Sequence, residues 1–182
     1  MIRATATALP EVLIIESTIF TDDRGYFTEI FHSGKFEAIG LPTRFEQDNQ
    51  SRSVRHTLRG LHYQLREPQG KLIRTVAGRI FDVAVDIRRD SPRFGQWTSI
   101  ILEEGDGRQL WIPPGFAHGF LALSDTADVS YKCTSVYDAT SDRCIAWNDP
   151  TIAIDWPIPA GASPMLSAKD AAAPMLASAD VF

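Results

Sequence analysis

The run Lys71-Leu72-Ile73-Arg74-Thr75-Val76-Ala77-Gly78-Arg79-Ile80-Phe81-Asp82-Val83-Ala84-Val85-Asp86-Ile87 decides the fold. Ala77-Gly78 divides it into two strand-length pieces. In the second piece Phe81, Val83, Val85 and Ile87 alternate with Asp82, Ala84, Asp86 and Arg88, the period of two that marks a half-buried strand. The same signals recur on both sides. Val12-Leu13-Ile14-Ile15 is an earlier apolar run, and Thr21-Asp22-Asp23-Arg24-Gly25 after it is rich in turn formers. Downstream, 97–102 reads as a strand ending in the polar turn Glu103-Glu104-Gly105-Asp106-Gly107. A strand at 109–112 follows, then Pro113-Pro114-Gly115, the apolar run 116–123 and an alternating strand over 129–137. Helix is confined to 34–39, with Ser33 as N-cap and Gly40 as stop, and to a short piece near 167–173 that Pro174 closes. Short strands at regular spacing, with Gly and Pro between them, predict an all-β sandwich or barrel.

The 182 residues suffice for one domain with a sizeable core, and 1–182 is read as one domain. Its tail from about residue 159, rich in Ala, Ser and Pro, reads as a loosely packed arm. Lys and Arg number 18 against 23 Asp and Glu, a net charge of −5. That balance excludes nucleic-acid binding through a generally basic surface but leaves room for a local basic pocket around one phosphorylated ligand. No apolar run nears the ~18 to 20 residues that span a bilayer. Residues 1–10 lack the charged-then-apolar layout of a signal peptide, so a cytoplasmic protein is expected. Cys133 and Cys144 make neither a disulfide framework nor a zinc pair, and are expected as two buried thiols.

Alternation also assigns faces. It puts His62 and Gln64 on the side of Leu58 and Gly60, Lys71 with Ile73 and Thr75, His118 with Phe116, Phe120 and Ala122, and Tyr131 with Val129 and Cys133. One polar residue among apolar neighbours is most simply a satisfied core residue. Four such residues need partners or solvent, because unpaired buried polar groups are costly. A barrel with a wet, polar-lined mouth supplies both, and such mouths hold small ligands. A metal site fits poorly: His62 and His118 could meet, but Gln64 is a weak neutral ligand, no His-x-His pair occurs, and His32 and His56 give no metal spacing. There is no Gly-x-Ser-x-Gly elbow and no glycine-rich phosphate loop. General acid–base chemistry by His, Tyr and Lys remains.

Longer motifs are shared with a known family. They are Arg59-Gly60-Leu61-His62-Tyr63-Gln64, Gln69-Gly70-Lys71-Leu72, the 81–88 strand, and Trp111-Ile112-Pro113-Pro114-Gly115-Phe116-Ala117-His118-Gly119-Phe120. Tyr131-Lys132, Trp147-Asn148-Asp149-Pro150, Ile154-Asp155-Trp156-Pro157 and Leu166-Ser167-Ala168-Lys169-Asp170 follow in order. Upstream, Arg24-Gly25-Tyr26-Phe27-Thr28-Glu29 and Gln47-Asp48-Asn49-Gln50-Ser51 also fit. Over nearly its whole length the chain resembles the dTDP-4-dehydrorhamnose 3,5-epimerases.

The resemblance implies a cupin-type antiparallel β-barrel, or jelly roll, with a few short helices and no metal or other cofactor. It further implies a homodimer that exchanges N-terminal strands. The implied reaction converts dTDP-4-dehydro-6-deoxy-D-glucose to dTDP-4-dehydro-L-rhamnose, on the route to dTDP-L-rhamnose. Carbons 3 and 5 both flank the ketone at carbon 4, so each proton is removable once the enolate charge is stabilised. By the same resemblance His62 is the base, Asp170 its partner, Lys71 the cation at the enolate oxygen and Tyr131 the proton donor. Substrate contacts fall to Arg24, Phe27, Glu29, Gln47, Asn49, Arg59, His118, Tyr137, Asp142 and Lys169, with Arg24 and Glu29 reaching the neighbouring subunit's site and Phe27 lying against the thymine. Two positions depart from the family: Asp142, where many relatives have Glu, and Cys144, where they usually have glycine. Epimerases that invert only carbon 3 or only carbon 5 use the same residue set. A catalytically silent sugar-binding cupin is disfavoured by the intact His62, Lys71, Tyr131 and Asp170, and a metal-dependent cupin by the missing third ligand.

Overall fold

The computed structural model describes residues 2–182. The decisive run forms β7 (Lys71–Ala77) and β8 (Arg79–Asp86), which separate at Gly78 into two facing sheets. The first sheet orders β1 (Ile2–Ala6), β2 (Leu13–Ser17), β10 (Arg108–Ile112), β7, β12 (Thr126–Cys133) and β5 (Gln47–Val54). The second orders β13 (Asp142–Cys144), β6 (Leu58–Gln64), β11 (Phe116–Ala122), β8 and β9 (Trp97–Glu103). All neighbours pair antiparallel. The result is the expected jelly roll, with the two sheets packed face to face rather than joined in one continuous ring. A separate hairpin, β3 (Ile19–Asp22) and β4 (Gly25–Thr28), turns at Asp23-Arg24. Among the described residues no helix is long and apolar enough to cross a membrane.

Between the sheets lies a core of Ile73, Leu110, Ile112 and Val129 from one side and Ile80, Ala84, Leu102, Phe116 and Phe120 from the other. The outer faces are covered too, and this changes two expectations. Val83, Val85 and Ile87, on the far face of β8, are fully buried beneath Ile152, Trp156 and Leu176 of the C-terminal segment, so β8 is buried on both faces rather than half-buried. The tail beyond residue 159 is correspondingly no loose arm. After an exposed bend at residues 159–163 it returns along the sheet: Ala146 N donates to Pro174 O, Arg89 N to Phe182 O, and the Tyr63 hydroxyl to Asp180 O at 2.6 Å. Each large apolar side chain so buried contributes about 1.5–3 kcal/mol, enough to hold a segment of low strand and helix propensity in place.

The helices are as short as expected. α1 (Ser33–Ala38) buries Phe36 over Leu72 and Trp111 on the outer face of the first sheet. Its N-cap position is His32, without a side-chain cap bond, rather than Ser33. α2 (Ala168–Ala171) is capped by Ser167, whose hydroxyl accepts from Asp170 N at 3.1 Å. β12 stops at Cys133, short of 137, because the chain then leaves the sheet to form a loop.

Candidate active site

At one end of the jelly roll the two sheets part around a cavity of about 370 Å³. The second sheet contributes Arg59, His62 and Gln64 from β6 and His118 from β11. The first contributes Lys71, Tyr131, and Gln47, Asn49 and Ser51 from β5. His62 and Tyr131 therefore come from opposite walls.

The phase of β6 differs from simple alternation. Leu58 and Leu61 both face the outer core, whereas Arg59, His62 and Gln64 face the cavity. The shift is a bulge: His118 pairs with His62, but Phe120 pairs with Arg59. Glycines permit it. Gly60 has φ +131, a conformation L side chains rarely adopt, and a Cβ there would sit 2.5 Å from Gly119 Cα. His62 thus shares a side with Arg59 rather than with Leu58 and Gly60.

Two histidines are fixed by two buried aspartates. His62 Nε2 lies 2.5 Å from Asp170 Oδ1, and His118 Nε2 lies 2.9 Å from Asp82 Oδ1. In each ring Nδ1 is the nitrogen left for a ligand. Burial alone would raise the Asp170 carboxyl pKa, but the bond to His62 holds it below its ordinary value. Lys71 is buried with its Nζ 3.4 Å from His62 O, and burial pulls its pKa down. Burial also raises the pKa of the Tyr131 hydroxyl, which keeps its proton at neutral pH. An imidazole, a lysine amine and a protonated phenol thus face one space. Among the described residues no group of three or more His, Cys, Asp or Glu side chains is placed to hold a metal ion.

A sequence model of the dTDP-4-dehydrorhamnose 3,5-epimerase family matches residues 6–178. The dTDP-4-dehydrorhamnose 3,5-epimerase of Pseudomonas aeruginosa is 51% identical over 181 residues, covering 99% of both chains. That of Salmonella typhimurium is 51% identical over 178 residues, covering 97% of this chain and 96% of its own. The crystal structure of the Legionella pneumophila dTDP-6-deoxy-D-glucose-3,5-epimerase in complex with dTDP-4-keto-L-rhamnose superposes with a TM-score of 0.94 at 50% identity, covering 99% of this chain and 95% of that one. The chain belongs to the dTDP-4-dehydrorhamnose 3,5-epimerase family.

Of the residues that the family resemblance assigns, the cavity brings together Gln47, Asn49, Arg59, His62, Lys71, His118, Tyr131, Tyr137, Asp142 and Lys169. Asp170 stands behind His62. Arg59 is held by Ser53 Oγ at 3.0 Å and Arg52 O at 3.2 Å, its guanidinium at the exposed mouth. Also at the mouth, Asp142 accepts from the Tyr137 hydroxyl at 2.9 Å and pairs with Lys169. Burial would lower the Lys169 pKa, and the Asp142 carboxylate more than offsets it. Arg24, Phe27 and Glu29 are not brought there. They lie on or just after the β3–β4 hairpin, where Arg24 pairs with Asp22 at 2.5 Å and Glu29 with Lys35 at 2.5 Å. Ser51, Tyr63, Gln64, Gln69 and Phe120 also line the cavity, beyond the contacts that the resemblance implies. The alternation of Gln47, Asn49 and Ser51 along β5 carried the signal for Ser51. Cys133 is buried as expected, whereas Cys144 is only partly so.

Proposed function

We propose that this protein converts dTDP-4-dehydro-6-deoxy-D-glucose to dTDP-4-dehydro-L-rhamnose by inverting carbons 3 and 5 of the sugar. The observation that carries the reading is the placement of His62 and Tyr131 on opposite sheets across one cavity, with Lys71 between them in chain order and on the Tyr131 side. His62 Nδ1 takes the proton from the carbon beside the ketone, and the electron pair moves onto the oxygen at carbon 4. Lys71 stabilises that enolate oxygen from a fixed position in the cavity wall. Tyr131 gives its proton to the opposite face of the same carbon, inverting it. Solvent then takes the proton from His62 and restores one to Tyr131. Both carbons flank the same ketone, so one base and one acid serve both. The ketone is already the electron sink, so the chemistry calls for no cofactor.

The nucleotide end follows from the mouth. Arg59 and Lys169 supply the cations a diphosphate needs, Gln47 and Asn49 line the wall beneath, and the exposed Tyr137 ring offers a face for the thymine. His118, fixed by Asp82, contacts the sugar. Arg24, Phe27 and Glu29 complete the site of a second copy in a homodimer formed by exchange of the N-terminal strands. Support comes from the apolar Phe20, Tyr26 and Phe27 left exposed on a hairpin that lines no part of its own cavity. Light scattering at micromolar concentration should give twice the chain mass; an active monomer would overturn the exchange.

The function is tested by incubating the 4-keto nucleotide sugar with the protein in deuterium oxide and locating the label by NMR. Deuterium at both carbons 3 and 5, each inverted, is expected. Label and inversion at a single carbon would assign a monoepimerase, and no label would leave only a sugar-binding role.

A further inference from the structure

We propose that Gln64 is a positioning residue for the nucleotide: it fixes the backbone on both sides of Tyr137 and so sets affinity for the nucleoside diphosphate without moving a proton. The inference rests on the reading of Tyr137 as the face against which the base lies.

Tyr137 is 55% exposed, so little side-chain packing holds it. Apart from the bond of its hydroxyl to Asp142, its place is set by the main chain. Gln64, only 3% exposed, grips that main chain at two points: Nε2 donates to Val136 O at 3.2 Å, and Oε1 accepts from Asp138 N at 2.8 Å. The remaining Nε2 proton goes to Glu67 O at 2.8 Å. Between these two points, Tyr137 N itself donates to Gln47 Oε1 at 2.7 Å. The backbone polar groups flanking the ring on either side therefore end on glutamine amides. The Gln64 amide lines the cavity wall two residues from His62, yet both its donors are committed to backbone carbonyls rather than to the open space. One strand thus sets the position of the proposed base and, through one side chain, of the aromatic face at the mouth.

The contacts demand an amide. Two carbonyls require donors and one N–H requires an acceptor, and glutamine alone has both at this reach. Glutamate keeps the size and the Asp138 N–H bond, but puts a carboxylate oxygen against two carbonyls. Leucine leaves Val136 O and Asp138 N without these partners, while Glu67 O keeps the Ser135 hydroxyl. Other bonds tie the same two segments together, with Gln69 Nε2 donating to Ser135 O at 2.9 Å and Ser135 Oγ to Glu67 O at 2.7 Å. These would keep the loop attached when Gln64 is changed, so the effect is displacement of the ring rather than loss of the fold.

The test measures dTDP binding by titration calorimetry, together with steady-state epimerisation. Gln64→Leu and Gln64→Glu are each made in the native chain and in Tyr137→Ala. The expected result is dTDP binding weaker by about tenfold in each single variant, with kcat at saturating substrate within about twofold of native. In the Tyr137→Ala background neither change should weaken binding further. Native dTDP affinity in Gln64→Glu, or equal weakening in both backgrounds, would overturn the proposal. Should Gln64→Leu fold poorly, the nearly isosteric Gln64→Glu carries the test alone. The titration does not depend on turnover, so failure of the epimerase reading appears in the deuterium experiment and failure of this one in the titration.

Discussion

His62 and His118 are direct cross-strand partners, and each sets its Nε2 against a buried aspartate, yet the two pairs are built differently. Asp82 belongs to β8, in the interior of its sheet, and its second carboxylate oxygen is buried with no partner. Asp170 belongs to the short helix α2 of the returning C-terminal tail. The His118 side chain is 9% exposed and the His62 side chain 33%. The same chemical pair therefore occurs once sealed into the wall and once where a ligand and solvent can reach the ring. In the proposed mechanism only the open pair carries protons, and the sealed pair presents a fixed contact.

Substitutions at the two pairs should separate these roles. The largest effect is expected for His62→Asn, which keeps a polar side chain but removes the base. Solvent exchange and epimerisation should fall together by about 10² to 10⁴-fold, the usual contribution of a positioned general base. Asp170→Asn should lower kcat less, by about 10- to 100-fold, the loss of one charge-assisted hydrogen bond that orients the ring. Asp82→Asn should act mainly on KM. Steady-state kinetics of the three variants decide the matter: a larger fall in kcat for Asp82→Asn than for Asp170→Asn would reverse the assignment of the pairs.

The tail that carries Asp170 offers a smaller effect. Tyr63 of β6 donates its hydroxyl to Asp180 O, and burial, assisted by the Asp180 charge, pushes its pKa up to about 12. A tyrosine raised above its unfolded value near 10 stabilises the fold fully below pH 10 and loses that contribution as pH rises towards 12. Thermal unfolding should therefore show a loss of stability across that window. In Tyr63→Phe that step should shrink, while stability at neutral pH falls by about 0.5–1.5 kcal/mol. An unchanged alkaline profile in Tyr63→Phe would mean that this contact does not help to hold the tail.

Much of this was legible in the sequence. The alternation at Phe81 to Ile87 placed β8, the phases of Lys71, His118 and Tyr131 turned them inward, and the family motifs gathered most of the cavity residues. What escaped was non-local. The alternation of β6 could not show that Gly60 and Gly119 approach closely enough to bulge the strand and bring Arg59 onto the face of His62. The order of the Ala-, Ser- and Pro-rich tail comes from burying Leu176 and Ala179 on a sheet far away in sequence, which no local signal shows. Nothing local marked that the same tail would cover Val83, Val85 and Ile87. The partners of the Gln64 amide, at Val136 and Asp138, lie more than 70 residues away and beyond any spacing rule.

The opposed placement of His62 and Tyr131 is tested most directly by the ratio of exchange to inversion in Tyr131→Phe. The 4-keto nucleotide sugar is incubated with the variant in deuterium oxide, and both label and configuration at carbons 3 and 5 are followed by NMR. With the hydroxyl gone and His62 intact, deuterium should enter with retention, returned from the face it left, and exchange should outrun inversion. Equal reduction of exchange and inversion would contradict the two-face arrangement and leave Tyr131 as a positioning residue.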